Sequence, residues 1–142
     1  MYFKPNIKYC LVKTIKIIKQ VNLPEASISL REDGIVHVHY NENTELDIPL
    51  QMKMLEIFQE ITDRKLSPFL ITASDGLIVT KEARDNAITI EEISPCYGTA
   101  VIVNNLAYVL IANFYLKVNK PKRPYQIFKT EEDAIVWLKT FL

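Results

Sequence analysis

The sequence predicts one small α/β domain, in which a mainly parallel sheet of about five strands opens with a β-hairpin and is covered by about four helices. Short apolar or β-branched runs alternate with helical segments, and most of these helices follow a residue suited to capping. Because such alternation requires right-handed crossovers, successive strands should run parallel. The length of 142 residues and a 49% hydrophobic composition suit a single packed core.

The N-terminal segment is the least determined part of the sequence. Residues 7–21 place apolar residues at helical spacing, but the same segment is rich in β-branched residues that suit a strand equally well. Both structures stay open. Helix is disfavoured before Pro24, so we set residues 1–25 apart as an N-terminal extension and expect the α/β domain over residues 26–142.

The hairpin is the first clear element of the domain. Ile28 and Leu30 alternate with polar residues, Asp33-Gly34 suits a tight turn, and a β-branched run continues to Tyr40. A helix over residues 48–62 should follow, because Asp47 can cap it, Pro49 suits its first turn, and apolar residues recur at helical spacing.

Buried strands then alternate with two further helices. The apolar runs at residues 68–72 and 99–103 are typical of strands covered on both faces. Between them, Thr80 caps a helix containing Ala83, and Thr89 with Glu92 fits a capping box for a short helical turn. The next helix is capped by asparagine, and its expected inward residues are Leu106, Leu110, Ile111 and Phe114.

The C-terminal part supplies the last strand and the last helix. A strand is expected over residues 125–128, and Thr130 with Asp133 opens the final helix. One stripe of that helix should face the core, formed by Ala134, Trp137, Leu138 and Phe141. The complete order is therefore a β-hairpin followed by α, β, α, β, α, β and α.

Composition and charge favour a cytoplasmic protein that does not span a membrane. Cys10 and Cys96 lack metal-binding spacing and are expected as reduced thiols. Lysines interrupt every apolar stretch near the N-terminus, so neither a signal peptide nor a membrane span is predicted. The formal net charge is zero, and no nucleic-acid partner is expected.

The residues that could carry chemistry are few. His37 and His39 are two apart on a predicted strand and would share one face, but two ligands do not make a metal site. Glycine-rich phosphate loops and common hydrolase motifs are absent from the sequence. We therefore predict no catalytic residue, no metal and no cofactor, and an enzyme is disfavoured.

A basic loop bracketed by prolines is the most unusual local feature. Residues 119–124 contain Lys120, Lys122 and Arg123, which could bind an anionic group. A solvated connection between a helix and a strand explains the same composition, so both interpretations stay open.

Four stretches of the sequence resemble a bacterial group of small STAS-like proteins of uncharacterised function. They read LREDGIVHVHY, TKEARD, NFYLKVNKP and FKTEEDAIVWLKTF, and the resemblance covers about residues 26–142. It implies the SpoIIAA-like fold, whose members include STAS domains and the CRAL-TRIO lipid-transfer domains. STAS regulators carry a phosphorylatable serine at the start of the helix after the central strand. The matching region here lacks that serine, so Thr80 or Ser74 would have to serve as the switch.

The resemblance implies two functions. The first is a non-enzymatic protein-interaction or regulatory module that docks an unknown protein partner around residues 74–84. The second is the binding of a lipid or another small apolar or anionic ligand near the basic loop, by aromatic residues that include Tyr108, Phe114, Tyr115 and Tyr125. The sequence leaves a homodimer open.

Overall fold

The computed structural model describes residues 14–142, which form eight strands, four α-helices and two short 3₁₀ turns. The strands are β1 (Ile17–Asn22), β2 (Ala26–Arg31), β3 (Val36–Tyr40), β4 (Glu45–Leu46), β5 (Ser67–Ala73), β6 (Ile78–Val79), β7 (Cys96–Ile102) and β8 (Tyr125–Phe128). The helices are α1 (Ile48–Ile61), α2 (Lys81–Thr89), α3 (Leu106–Val118) and α4 (Glu131–Leu138). The predicted order of hairpin, helices and strands is confirmed.

Six strands form the main sheet in the order β1-β2-β3-β5-β7-β8. The first three are antiparallel neighbours, whereas β3, β5, β7 and β8 run parallel. The remaining two strands, β4 and β6, pair in a small parallel sheet. The hairpin and the mainly parallel arrangement are therefore confirmed, with β5 at the centre as the apolar run at residues 68–72 predicted.

The sixth strand comes from the segment that the sequence left open. Residues Ile17–Asn22 form β1, which pairs with β2 from Ile17 opposite Arg31 to Asn22 opposite Ser27. The strand interpretation thus applies to this stretch, which adds an edge to the sheet before Ala26. The earlier part of the open segment, residues 7–13, lies outside the residues that the structure describes.

Side-chain caps fix where the helices begin. The Asp47 carboxylate accepts a hydrogen bond from the Leu50 amide at 3.0 Å, and the Thr80 hydroxyl accepts one from the Ala83 amide at 3.1 Å. Each satisfies an amide that has no partner inside its helix. The predicted capping box at Thr89 is wrong, because Thr89 is the last residue of α2 and the 3₁₀ turn Glu91–Ile93 has no side-chain cap.

Helices cover the two faces of the sheet unequally. On one face α1 packs against β2, β3 and β5, where Met54, Phe69 and Val38 are almost fully buried. On the other face α4 packs Ala134 and Leu138 against Leu70 and Ala100, as the predicted stripe requires. Successive side chains of β3 face opposite sides of the sheet. Val36, Val38 and Tyr40 face α1, and the two histidines between them face the other way.

The predicted inward face of α3 is wrong for three of its four residues. Leu106, Leu110 and Phe114 are exposed by 73%, 59% and 51%, whereas Ile111 faces the space between α3 and the sheet, and Ala112 is the buried residue of this helix. The helix is apolar around almost its whole circumference, so hydrophobic spacing could not distinguish its covered side from its exposed side.

Candidate functional site

A cavity of about 230 Å³ lies between the sheet and the helices α2 and α3. The sheet contributes Ile71 of β5 and Val101 of β7, while the helices contribute Ala83, Ala87 and Ala112. Alanine is too small to fill the space that Leu or Met fills under α1. The space is partly open to solvent, so a small molecule can enter it, and its walls are mainly apolar.

A second cavity of about 180 Å³ adjoins the first. Both are lined by the rings of Tyr40, Tyr115 and Tyr125, and the ring centroids of Tyr115 and Tyr125 are 5.3 Å apart. Burial raises the pKa of Tyr115 to about 12, and it raises the pKa values of Tyr40 and Tyr125 further above their ordinary range. These phenols are therefore neutral near pH 7 and can both donate and accept hydrogen bonds.

Tyr108 of α3 is one of the residues that line the larger cavity. Its hydroxyl donates to the Ser74 carbonyl and accepts from the Leu77 amide, both at 2.9 Å. These bonds tie α3 to the loop between β5 and β6. Of the aromatic residues named from the sequence, Tyr108, Tyr115 and Tyr125 line the cavity, whereas Phe114 lies on the exposed side of α3.

Arg84 is the one charged side chain among the described residues that line the larger cavity. Its Nη1 donates to the Val79 carbonyl at 2.7 Å, and its Cζ lies 5.5 Å from the centroid of the Phe114 ring. Its Nε is buried without a hydrogen-bond partner. Sequence reasoning missed this residue, although a lone cation between Ala83 and Ala87 on a predicted helix was an available signal.

The structure places Ser74 in a chain of hydrogen bonds on the opposite face of the sheet. Ser74 Oγ lies 3.0 Å from His39 Nε2, and Thr72 Oγ1 lies 2.8 Å from both His39 Nδ1 and His37 Nε2. Burial lowers the pKa of His37, nearby Glu131 acts in the raising direction, and His39 with Arg31 lowers it further. In residues 14–142, no group of three His, Cys, Asp or Glu side chains is placed to hold a metal ion.

The second hydroxyl named as a switch, Thr80, is the N-cap of α2, about six residues beyond Ser74 along the chain. Its oxygen accepts from the Ala83 amide, so the structure gives it a capping role. Ser74 and Thr80 do not belong to one hydrogen-bonded cluster. Their phosphorylation stays a prediction.

The basic loop is held by interactions of its own. The Glu91 carboxylate accepts hydrogen bonds from the backbone amides of Lys122 and Arg123, at 3.1 and 3.2 Å. The Arg123 guanidinium donates to the carbonyls of Ser94 and Cys96, each at 2.7 Å. Arg123 is thus bound to the protein itself, whereas the side chains of Lys120 and Lys122 have no ion pair within the described part of the chain. Anion binding by this loop stays a prediction.

Cys96 lies beside the smaller cavity as a free thiol. Its Sγ is 2.9 Å from Thr99 Oγ1, and burial raises its pKa to about 11. The thiol is therefore protonated near neutral pH, which makes it a weak nucleophile. Cys10 lies outside the described residues.

No helix in the described residues is long and apolar enough to cross a membrane. Among solved structures, the fold is similar to that of an uncharacterised protein of the DUF3478 family from Shewanella loihica PV-4, which has a SpoIIAA-like fold. The TM-score is 0.50 at 13% sequence identity, over 87% of this chain and 93% of that one. The predicted SpoIIAA-like fold is thereby confirmed.

No curated protein matches the chain. Residues 28–142 match the model of a family described as a domain of unknown function, DUF7793. This match covers most of the chain, so the chain belongs to the DUF7793 family.

Proposed function

We propose that this chain binds a small apolar or amphipathic molecule in the cavity beneath α2 and α3. The observation that carries the proposal is the cavity itself, with about 230 Å³ of space between alanine-bearing helices and apolar strand residues. Binding sites for small molecules are concave and mostly apolar, with a few placed polar groups. Tyr115 and Tyr125 supply such groups here.

The two neighbouring cavities make an elongated ligand the best fit. Tyr40, Tyr115 and Tyr125 line both a space of about 230 Å³ and one of about 180 Å³, so the two spaces are neighbours. Each methylene group transferred from water to such a site contributes about 0.8 kcal/mol. A short alkyl chain would therefore gain enough from burial to be retained at modest concentration.

We propose binding without a chemical step. We also propose that the protein is cytoplasmic. The sequence offers no common catalytic motif, and Cys96 is a protonated thiol at neutral pH. The SpoIIAA-like fold supports the proposal only as a frame, since one fold hosts many functions.

Isothermal titration with octanol tests the proposal. Octanol should bind the wild-type protein, and Ala87→Leu should weaken binding at least about tenfold, because the added side chain fills space shared by both cavities. Ala107→Leu is the matched control, since Ala107 is exposed on α3 and its substitution should leave the affinity unchanged. Absence of octanol binding to the wild-type protein, or equal affinities in both variants, would contradict the proposal.

A second candidate is the protein-interaction module that the resemblance implies. The observation that favours it is a row of exposed apolar side chains spaced four residues apart along α3, formed by Leu106, Leu110, Phe114 and Val118. A continuous exposed apolar surface often marks a protein interface. This row lies outside residues 74–84, where the sequence placed the docking surface.

A pull-down from the native host with paired variants tests this candidate. A partner that is lost from Leu110→Glu but retained by Lys117→Glu, on the same helix, would support docking through the apolar row. A partner retained equally by both variants would exclude that row as the docking surface.

A further inference from the structure

We propose that the ligand carries an anionic head group, most simply a carboxylate on an apolar chain, and that Arg84 receives it. The inference rests on the proposed function, because it names the chemical class that the same cavity would select. It follows from the charge of Arg84, from how its guanidinium is held, and from the absence of a competing carboxylate.

The guanidinium of Arg84 is held through Nη1, whereas Nη2 has no hydrogen-bond partner among the described residues. Nη1 donates to the Val79 carbonyl, and the Phe114 ring lies 5.5 Å from Cζ, so two contacts restrict its orientation. Nε also lacks a partner, but it is buried and inaccessible in this conformation. Carboxylates bind the edge formed by Nε and Nη2 through two parallel hydrogen bonds, so the ligand would first meet Nη2 and reach Nε after a small shift of the Arg84 side chain towards the cavity.

Leaving this edge unsatisfied is unfavourable. A buried donor of a charged group without a partner costs about 1–3 kcal/mol or more. A neutral acceptor would satisfy the hydrogen bond without compensating the charge. A ligand anion does both, and it does so in surroundings where an apolar wall strengthens the charge interaction.

Asp85, the acidic residue next to Arg84, forms no ion pair with it, although the hydrogen bond from Lys81 and, to a smaller degree, the charge of Arg84 lower the pKa of Asp85. Asp85 accepts from Lys81 Nζ at 2.7 Å and from Asn119 Nδ2 at 2.9 Å, which turns its carboxylate away from the cavity lining. Asp and Glu are absent from the described lining of the larger cavity. Gln51, the amide side chain in that lining, already bonds the Ala83 carbonyl and Asn86.

The cavity also gives the ligand a direction. Arg84 lines only the larger of the two cavities, whereas Tyr115 and Tyr125 line both. A head group at Arg84 would therefore extend its apolar chain along Ile71 and Val101 towards the tyrosines and the smaller cavity. The polar end of the ligand lies beneath α2 in this arrangement.

Titration of matched acid and alcohol probes tests the inference. Octanoate should bind the wild-type protein more tightly than octanol does, and Arg84→Gln should weaken octanoate binding about tenfold or more relative to its effect on octanol binding. Lys117→Gln removes an exposed charge from α3, leaves the Lys81–Asp85 pair intact and should leave both affinities unchanged. Far-ultraviolet circular dichroism of each variant verifies the fold.

Arg84→Lys provides a second variant if Arg84→Gln does not fold. Lysine keeps the charge but lacks the two-pronged edge, so octanoate affinity should still fall by more than octanol affinity does. Octanol binding combined with equal octanoate affinity in the wild type and the folded variant would overturn the inference and leave the proposed function standing. Failure of both probes to bind the wild-type protein would overturn the proposed function itself.

Discussion

The helices on one face of the sheet pack in two different ways. Beneath α1, the side chains of Leu50, Met54 and Phe69 interlock with the sheet and are at most 7% exposed. Beneath α2 and α3, each helix buries a single alanine, Ala83 or Ala112, and a cavity separates the helices from the strands. The same sheet therefore carries a filled half and an unfilled half.

This difference separates stability from binding. Close packing of large side chains supplies most of the favourable free energy of folding, and it leaves no room for a ligand. Replacing large residues with alanine gives up part of that free energy and creates apolar space. We infer that packing under α1 stabilises the fold. The half under α2 and α3 can therefore stay unfilled and contain a binding site.

The largest effect should come from truncating the filled half. Phe69→Ala removes a ring that is 1% exposed and packs edge-on against Phe58, so the free energy of unfolding should fall by about 3–5 kcal/mol. Phe114→Ala, on the exposed side of α3, should cost less than about 1 kcal/mol. Urea unfolding measures both. Similar losses in the two variants would contradict the division into two halves.

The sequence predicted the filled half better than the unfilled half, for a physical reason. Helix α1 has a polar side, so the spacing of residues such as Leu50 and Met54 identifies the buried stripe. Helix α3 is apolar on nearly all sides, and the spacing then named Leu106 and Phe114 as buried when Ala112 is. A cavity also leaves no mark in hydrophobic periodicity.

Adding volume should distinguish the unfilled half from the close-packed layer on the other face of the sheet, under α4, in the opposite sense. Ala134→Leu inserts a larger side chain into the packed layer between α4 and the sheet, where Ala134 is fully buried, and should cost about 1–3 kcal/mol. Ala87→Leu inserts the same atoms beside empty space and should change the unfolding free energy by less than about 1 kcal/mol, or raise it. Thermal unfolding by calorimetry compares them. A larger loss of unfolding free energy for Ala87→Leu than for Ala134→Leu would mean that no free space adjoins Ala87.

The candidate site was predictable only in fragments. Tyr108, Tyr115 and Tyr125 were named from the sequence because aromatic residues cluster near the basic loop, and they do line the cavity. Arg84 was missed, because its proposed role depends on whether an acidic side chain pairs with it. Which side chains surround Arg84 is a property of the folded chain. Arg123 was named for its charge, but its guanidinium bonds two carbonyls at 2.7 Å.

A smaller effect should follow removal of the cap of α2. Thr80→Ala leaves the Ala83 amide without its partner and should cost about 1 kcal/mol, whereas Thr80→Ser should keep the bond. Because α2 has little buried area, the loss should appear as faster amide exchange in α2 with α1 unaffected. Equal acceleration in the two helices would mean that the unfilled half does not open independently.

The smallest effect concerns the other face of the sheet, where His37 bonds Thr72. Burial holds the pKa of His37 below its ordinary value of about 6.5, so the unfolded chain binds the proton more readily than the folded one does. Protonation therefore favours unfolding, and stability from the neutral ring is retained above about pH 6.5 and lost as the pH falls towards the folded pKa. Glu131 opposes this shift, whereas His39 and Arg31 add to it.

His37→Gln should consequently make stability less dependent on pH. The free energy of unfolding of each protein is measured from about pH 8 to about pH 5. The difference between wild type and variant should be constant above about pH 6.5, and below that pH the wild type should lose more stability than the variant. A difference that is the same at every pH would contradict the shift.

Octanol affinity should not change in this variant, because His37 faces away from the cavity. A changed affinity would show that the two faces of the sheet are coupled, and the contrast between filled and unfilled halves would then have to include the face beneath α4.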